Sequence, residues 1–165
     1  MTNFGFMRFC EQNDMRFVAT KVGDRFVLEE MLLDDTVFGG EQSGHVIFRS
    51  FATSGDGQLT AAQLLSLMRR KGEKLSALAS VMKKCPQIII NLKVTSDGKR
   101  RYYTDETVKA AIENAKANLG ETGRIVVRPS GTEPLIRVMV EGDDTALIEK
   151  TAKEVSAVIK KQLSK

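Results

Sequence analysis

The sequence predicts two consecutive domains that mix helices and strands, with a boundary near Pro86. Before Pro86, apolar residues recur mostly at helical spacing and only short apolar runs fit strands, which predicts an α/β domain that is present in part. After Pro86, the predicted order is strand, helix, strand, strand, helix, which is typical of a compact α+β module. We therefore expect one domain at residues 1–85 and a second at residues 86–165.

Helices dominate the predicted first domain. The segments with helical periodicity are residues 4–12, 25–33, 60–70 and 76–83. Apolar runs at residues 15–19 and 45–48 predict short strands, and Gly39-Gly40 predicts a break between elements. A sheet with so few strands would expose an edge, so we expect this domain to be the later part of a larger one.

The predicted second domain has three strands and two helices. The strands are residues 87–94, 123–128 and 135–141, and the helices are residues 105–119 and 143–163. Asp97-Gly98 predicts a turn after the first strand, and Gly120 ends the first helix. The last helix has acidic residues at its start and basic residues at its end, which suits the helix dipole.

Composition excludes several classes of protein. Of the 165 residues, 42% are hydrophobic and 28% are charged, as in soluble globular proteins. No apolar run is long enough for a membrane span, and the first residues lack the features of a signal peptide. Cys10 and Cys85 lie far apart without a metal-binding spacing. We interpret them as free thiols in a reducing cytoplasm.

The net charge of +4 suits phosphorylated metabolites and nucleic acid equally. A basic α+β module that binds RNA or DNA is therefore one alternative, and a free-standing sugar-phosphate binder is another. The strands at residues 125–128 and 135–141 carry no aromatic side chain on which bases could stack, which argues against nucleic acid. The densest basic groups, Lys99-Arg100-Arg101 and Lys160-Lys161, are interpreted as solvated turns or helix ends.

The most specific segment is Arg128-Pro129-Ser130-Gly131-Thr132-Glu133-Pro134, between two predicted strands. Arg128 offers a planar fork of donors that matches two phosphate oxygens. Ser130 and Thr132 add hydroxyl donors, and Gly131 lets backbone amides turn inward around an anion. The structural alternative is a Pro/Gly hairpin with polar tips. The residue types favour anion binding over that alternative.

A second segment, Gly39-Gly40-Glu41-Gln42-Ser43-Gly44-His45, suits a polyhydroxylated ligand. Glu41 can accept two hydroxyl hydrogen bonds, Ser43 can donate or accept, and the glycines allow close approach. Taken alone, the segment is more typical of a glycine-rich turn with its carboxylate in solvent.

Together the two loops resemble those of the α-D-phosphohexomutase family. Residues 40–45 resemble the family's sugar-recognition loop, and residues 128–134 resemble the phosphate-binding loop of its last domain. The Gln in the first loop, the form of the second and the stretch at residues 20–25 resemble the phosphoglucosamine mutase branch. The resemblance covers nearly the whole chain in the same order. It implies the later part of the family's third domain, followed by its fourth.

The resemblance implies an enzyme that interconverts glucosamine 6-phosphate and glucosamine 1-phosphate, on the route to the amino sugars of peptidoglycan. In such enzymes a phosphoserine donates its phosphate to one end of the sugar, and the bisphosphate intermediate then returns a phosphate from its other end. By the same resemblance, Glu41 and Ser43 bind the sugar hydroxyls, and Val22, Gly23 and Asp24 line the site opposite the amino sugar.

The phosphate-binding residues follow from the second loop. The resemblance implies that the non-reacting phosphate is held by Arg128, Ser130, Gly131 and Thr132. It also implies a phosphorylated amino sugar as partner, without nucleic acid or membrane, and it leaves a homodimer of the parent enzyme open.

Two functional loops of the family do not occur in this sequence. They are the Ser-His-Asn type loop with the phosphoserine and the Asp-Gly-Asp-Gly-Asp type loop that holds Mg²⁺. Ser54-Gly55-Asp56-Gly57 is no substitute, because one carboxylate cannot supply the several oxygens that Mg²⁺ takes. We therefore expect no catalytic residue and no metal ligand here, and Mg²⁺ only in the parent enzyme. The chain alone is expected to be inactive.

Three further residues have structural interpretations. His45, the single histidine, is expected to support the fold or the site rather than act as a general base. Asp56 is expected to cap the helix that begins near Gln58 or Thr60. For Arg137, positive charge at the phosphate loop and a surface ion pair are equally good interpretations.

Overall fold

The computed structural model describes residues 2–164, so the outermost residues of the two expected domains lie outside it. The chain forms two compact units, divided between Lys84 and Cys85. Both units mix helices with a small antiparallel sheet, which confirms the predicted α/β and α+β character. Cys10 and Cys85 are buried thiols that are not joined in a disulfide, as expected.

From residue 2 onwards, the first unit contains four helices and two short strands. In chain order these are α1 (Phe4–Gln12), α2 (Asp24–Leu33), β1 (Phe38–Gly40), β2 (Val46–Phe48), α3 (Gly57–Lys71) and α4 (Leu75–Leu78). Strands β1 and β2 pair antiparallel, with Gly39 opposite Ile47. Helix α2 lies so close to β1 that a Cβ atom at Gly39 would be only 2.5 Å from Met31 Sδ. Only glycine allows this approach.

Two predictions for the first unit are wrong. Residues 15–19 form no strand, and Met15 and Val18 are exposed, so the alternation of their side chains has no partner strand to bury them. The helix expected at residues 76–83 covers only Leu75–Leu78. It has no side-chain cap, and Val81 is exposed, so packing does not extend it.

Caps explain where the longer helices begin. The carboxylate of Asp56 accepts hydrogen bonds from the amides of Gln58 and Leu59 at 2.8 and 2.9 Å, which confirms its predicted capping role at α3. Asp144 caps the last helix in the same way, with its carboxylate 2.8 Å from the amide of Ala146. Each cap satisfies donors that the helix itself leaves unpaired.

Up to residue 164, the second unit has a three-stranded sheet and three α-helices. Its elements are β3 (Gln87–Lys93), α5 (Ser96–Arg101), α6 (Glu106–Leu119), β4 (Gly123–Pro129), β5 (Leu135–Gly142) and α7 (Thr145–Leu163), with a 3₁₀ turn at Gly120–Thr122. The sheet order is β3-β5-β4, antiparallel throughout. The central strand is therefore the last one in sequence.

The predicted turn at Asp97-Gly98 is wrong, because these residues lie in helix α5. The Thr95 side chain accepts the N–H of Gly98 and caps this helix. Asp97 also lies 3.1 Å from Arg100 and 3.0 Å from Arg101, at helical spacing. The cap and the two ion pairs outweigh the turn tendency of the Asp-Gly pair.

Helices α6 and α7 cover one face of the three-stranded sheet. Central strand β5 turns Ile136, Val138 and Val140 towards them, and all three are fully buried. Because strand side chains alternate, Arg137, Met139 and Glu141 point to the opposite face. On that face the carboxylate of buried Glu141 lies 2.7 Å from Arg124 Nε and also accepts a hydrogen bond from the side-chain amide, Nε2, of Gln87.

Candidate functional site

The segment at residues 40–45 is the hairpin loop between β1 and β2. The amide of Glu41 donates to the carbonyl of His45 at 2.8 Å, and the amide of Gly44 donates to the carbonyl of Glu41 at 3.1 Å. Gly44 has φ +100°, a conformation that favours glycine. The loop is therefore a closed turn that holds its side chains at the end of the hairpin.

The carboxylate of Glu41 connects this loop to the start of α2. Its Oε1 accepts the N–H of Gly23 at 3.0 Å, and its Oε2 lies 3.5 Å from Ser43 Oγ. Burial acts to raise the pKa of Glu41, but the interactions of the carboxylate, led by the hydrogen bond from Gly23, hold the pKa below its ordinary value. Glu41 is therefore a fixed carboxylate that stays ionised at neutral pH.

The structure brings four of the five proposed sugar-binding residues together in the first unit. Gly23, Glu41 and Ser43 are connected as described, and Asp24 lies beside them as the first residue of α2. The side chain of Val22 is exposed just before that helix. Contact among these residues is consistent with a shared binding surface.

His45 contacts two neighbouring segments. Its Nδ1 lies 3.7 Å from Asp24 Oδ2, and a Cβ atom at Gly55 would meet the His45 side chain at 3.2 Å. These contacts connect the hairpin loop with the first residue of α2 and with the segment before α3. They agree with a supporting role for His45.

The segment at residues 128–134 connects β4 to β5 and is held by its own hydrogen bonds. The amide of Ser130 donates to the carbonyl of Leu135 at 2.9 Å, and the amide of Leu135 donates to the carbonyl of Glu133 at 2.8 Å. The amide of Glu133 donates to Ser130 Oγ at 3.3 Å, and Ser130 is buried. The hydroxyl of Ser130 thus accepts within the loop and retains its hydrogen for a ligand.

Several donors of this loop are unused within the part of the chain that the structure describes. The amides of Gly131 and Thr132 have no hydrogen-bond partner among residues 2–164. Within the same residues, Arg128 Nε is buried and also has none. The buried Nε without an acceptor carries a free-energy cost that an anion would remove, and the two adjacent exposed amides are donors that an anion can use.

Arg137 is a candidate that the sequence left undecided. It lies directly opposite Arg128 in the β4–β5 register, on the sheet face away from the helices. Its Nε donates to Asn91 Oδ1 at 3.0 Å, and Glu133 Oε2 lies 4.0 Å from its Nη2. Like charges directly across a strand pair repel each other, so the pair Arg128 and Arg137 favours an anion between or beside them. The signal available in the sequence was the alternation of side chains along a strand, which determines the face of the sheet on which Arg137 lies.

The described residues contain neither a cluster of metal-ligating side chains nor a helix that could cross a membrane. Residues 2–164 contain no group of three or more His, Cys, Asp or Glu side chains that could hold a metal ion. No helix among them has the length and apolar character to cross a membrane.

Family models match both parts of the chain. Residues 1–85 match the model described as phosphoglucomutase/phosphomannomutase, alpha/beta/alpha domain III. Residues 69–158 match the model of the phosphoglucomutase/phosphomannomutase C-terminal domain.

Relatives and solved structures of similar enzymes cover nearly all of this chain. A phosphoglucosamine mutase from Caldanaerobacter subterraneus subsp. tengcongensis is 48% identical over 99% of the chain, which spans 37% of that protein. The N-acetylphosphoglucosamine mutase of Aspergillus fumigatus has a TM-score of 0.80 at 17% identity, over 98% of this chain and 37% of that one.

A second structure of the Aspergillus enzyme, in complex with GlcNAc-6P and magnesium, has a TM-score of 0.73 at 14% identity, over 97% of this chain and 37% of that one. At such low identity, the likeness to the Aspergillus structures shows the fold alone. The chain therefore spans little more than a third of the length of the proteins that it resembles.

Proposed function

Because this chain belongs to the phosphoglucomutase/phosphomannomutase family, we propose that it forms the sugar- and phosphate-recognising part of a phosphoglucosamine mutase. That enzyme would interconvert glucosamine 6-phosphate and glucosamine 1-phosphate through a phosphoserine, in the cytoplasm, to supply amino sugars for peptidoglycan. The observation that carries the proposal is the loop at residues 128–134, where the amides of Gly131 and Thr132 and the buried Nε of Arg128 lack partners among the described residues.

In this proposal the loop binds the phosphate that does not react. The amides of Gly131 and Thr132 and the hydroxyls of Ser130 and Thr132 donate to phosphate oxygens. Arg128 adds a charge-assisted contact, and Arg137, opposite Arg128 in the register, supplies a second positive charge. Neutralising one dianion with two arginines also removes the repulsion between them.

The first unit would recognise the sugar. Glu41 accepts hydrogen bonds from two hydroxyl groups, with its carboxylate already oriented by Gly23. Ser43 lies on the same side of the loop and can donate or accept. Val22, Gly23 and Asp24 would line the part of the site that faces the amino sugar.

Phosphoryl transfer depends on positioning and on neutralising charge. This chain would contribute the positioning, because it binds the phosphate of the ligand that does not react. A relative binds magnesium in a solved structure, and Mg²⁺ in the parent enzyme would neutralise charge at the reacting phosphate. Since residues 2–164 contain no cluster of metal-ligating side chains, we assign no residue of this chain to Mg²⁺.

Titrating the isotopically labelled chain with glucosamine 6-phosphate tests the proposal by NMR. We expect amide shifts at residues 128–132 and a dissociation constant on the order of millimolar, equivalent to about 4 kcal/mol. Arg128→Ala should abolish the shifts. Arg128→Lys should weaken binding although it keeps the charge, because an ammonium cannot reproduce the planar fork.

A different outcome would favour another function. Shifts centred on Lys160 and Lys161 that appear equally with any polyanion would indicate a nonspecific basic surface. A gel shift with RNA or DNA, under conditions where glucosamine 6-phosphate causes no shift at the loop, would favour the nucleic-acid alternative.

A further inference from the structure

An open cavity of about 550 Å³ lies between helix α5 and the far end of the phosphate loop. It is lined by residues of α5 and the turn after it, and by residues at the end of the loop: Ser96, Lys99, Arg100, Tyr103, Thr132, Glu133 and Pro134. Thr132 therefore belongs both to the proposed phosphate site and to this cavity. The cavity extends the site towards a helix that the sequence predicted as a solvated turn.

Lys99 is the cation of α5 that no acid neutralises. Its Nζ donates to the main-chain carbonyl of Glu133 at 3.1 Å. Among the described residues no carboxylate pairs with it, whereas Arg100 and Arg101 both pair with Asp97. An ammonium has three donors, so two remain for a ligand in the cavity.

The position of Lys99 is fixed by the packing of its helix. Gly98 lies so close to α7 that a Cβ atom there would meet the carbonyl oxygen of Leu163 at 1.9 Å. The amide of Val94 donates to the carbonyl of Pro134 at 3.1 Å, which connects the segment before α5 to the end of the loop. A lysine held in this way loses less freedom on binding than a solvated one.

We propose that Lys99 is a further binding residue of the phosphate site: it holds the loop through the Glu133 carbonyl and donates from the cavity side to a phosphate monoester dianion on Thr132. The inference rests on the proposed function, because the anion is the one bound by the loop.

The test compares phosphate affinities of variants of residues 1–165 by NMR titration with inorganic phosphate and with glucosamine 6-phosphate. Lys99→Met should raise the dissociation constant about tenfold, the loss expected for one charge-assisted hydrogen bond. Lys99→Arg should recover most of the affinity. The matched control is Lys153→Met, which removes an exposed lysine of α7 and should change the constant by less than about twofold.

A second measurement separates binding from folding. The midpoint of thermal unfolding of Lys99→Met should stay close to that of the wild type, and its ligand-free amide shifts should change only near the lost contact with the Glu133 carbonyl. Unchanged affinity in Lys99→Met, or an equal loss of affinity in Lys153→Met, would overturn this inference. In that case, a loss of binding in Arg128→Ala would still support the proposed function. No loop shifts in the wild type with either ligand would overturn both.

Discussion

The carboxylate of Glu41 has a structural contact as well as a proposed ligand. Its hydrogen bond with the amide of Gly23 connects the β1–β2 hairpin to α2. Gln at this position keeps an oxygen that can accept from Gly23 but has no charge. Removing the charge without removing the acceptor therefore separates the two roles of this residue.

We expect Glu41→Gln to lower catalytic efficiency far more than stability. The variant is made in a chimera in which this chain replaces the matching 37% of the Caldanaerobacter phosphoglucosamine mutase. Charge-assisted hydrogen bonds are worth roughly 1.5–3 kcal/mol, so kcat/KM for glucosamine 6-phosphate should fall about ten- to a hundred-fold. The free energy of unfolding, measured in urea, should change by less than about 1 kcal/mol.

Glu73→Gln is the matched control, since it removes the same charge from an exposed position between α3 and α4. Its kcat/KM should equal that of the unmodified chimera. If Glu41→Gln instead destabilises the protein and each folded molecule keeps full activity, Glu41 is a structural residue.

At the scale of single elements, α5 determines what surrounds the phosphate loop. It is a short helix of six residues, and its contact with the end of α7 depends on Gly98. The nearest atoms to a Cβ at this position belong to the backbone of Leu163 and cannot rotate away. The absence of a side chain at Gly98 is therefore a condition for the placement of Lys99.

We expect Gly98→Ala to destabilise the second unit and to weaken phosphate binding together. Overpacking a tight contact costs about 1–3 kcal/mol. The midpoint of thermal unfolding should fall by several degrees, since about 1 kcal/mol shifts it by roughly 4–8 °C in a unit of this size. Scanning calorimetry and the phosphate titration measure both effects.

Gly57→Ala is the comparison at the start of another helix. A Cβ atom at Gly57 would meet nothing within 4 Å, and alanine restricts the unfolded chain. Its stability should be equal to the wild type or higher by about 0.4–1 kcal/mol. An equal fall for both variants would mean that the contact with Leu163 is not the cause.

At the scale of the whole molecule, each candidate loop draws its donors from its own unit. The hairpin loop at residues 40–45 is tied to α2 within the first unit, and the loop at residues 128–134 joins two strands of the second. The proposed sugar-binding residues thus lie in the first unit, and the proposed phosphate-binding residues lie in the second. The sequence carries neither the phosphoserine loop nor the acidic metal loop of the family.

Residues 1–165 alone are expected to show no mutase activity, whereas the chimera should be active. Positioning without a phosphate donor cannot transfer a phosphoryl group. The assay uses glucosamine 6-phosphate, Mg²⁺ and a sugar bisphosphate activator. Turnover by the chain alone in the range of ordinary enzymes, about 1–1,000 per second, would contradict the expectation.

An inactive chimera with native stability would count against the proposed function itself. An active chimera that loses its activity in Arg128→Ala would support it. The chimera therefore tests the activity of the parent enzyme, and its Arg128→Ala variant tests the role of the loop.

The sequence by itself determined the long amphipathic helices, the three strands of the second unit and the two loops. These follow from local rules: α1 is found at Phe4–Gln12 as predicted, Asp56 caps α3, and proline and glycine mark the loop ends. The family resemblance also depended on contiguous residues, and the family matches confirm it.

The tertiary structure alone decided which distant residues meet. The strand order β3-β5-β4 places Asn91, Arg137 and Arg128 in one row, although 46 residues separate the first two. The packing of Gly98 on α7 brings Lys99 to the phosphate loop. At residues 15–19, an apolar alternation formed no strand, because no strand among residues 2–164 pairs with it. Local patterns specify elements, but pairing and packing depend on partners that lie far away in the sequence.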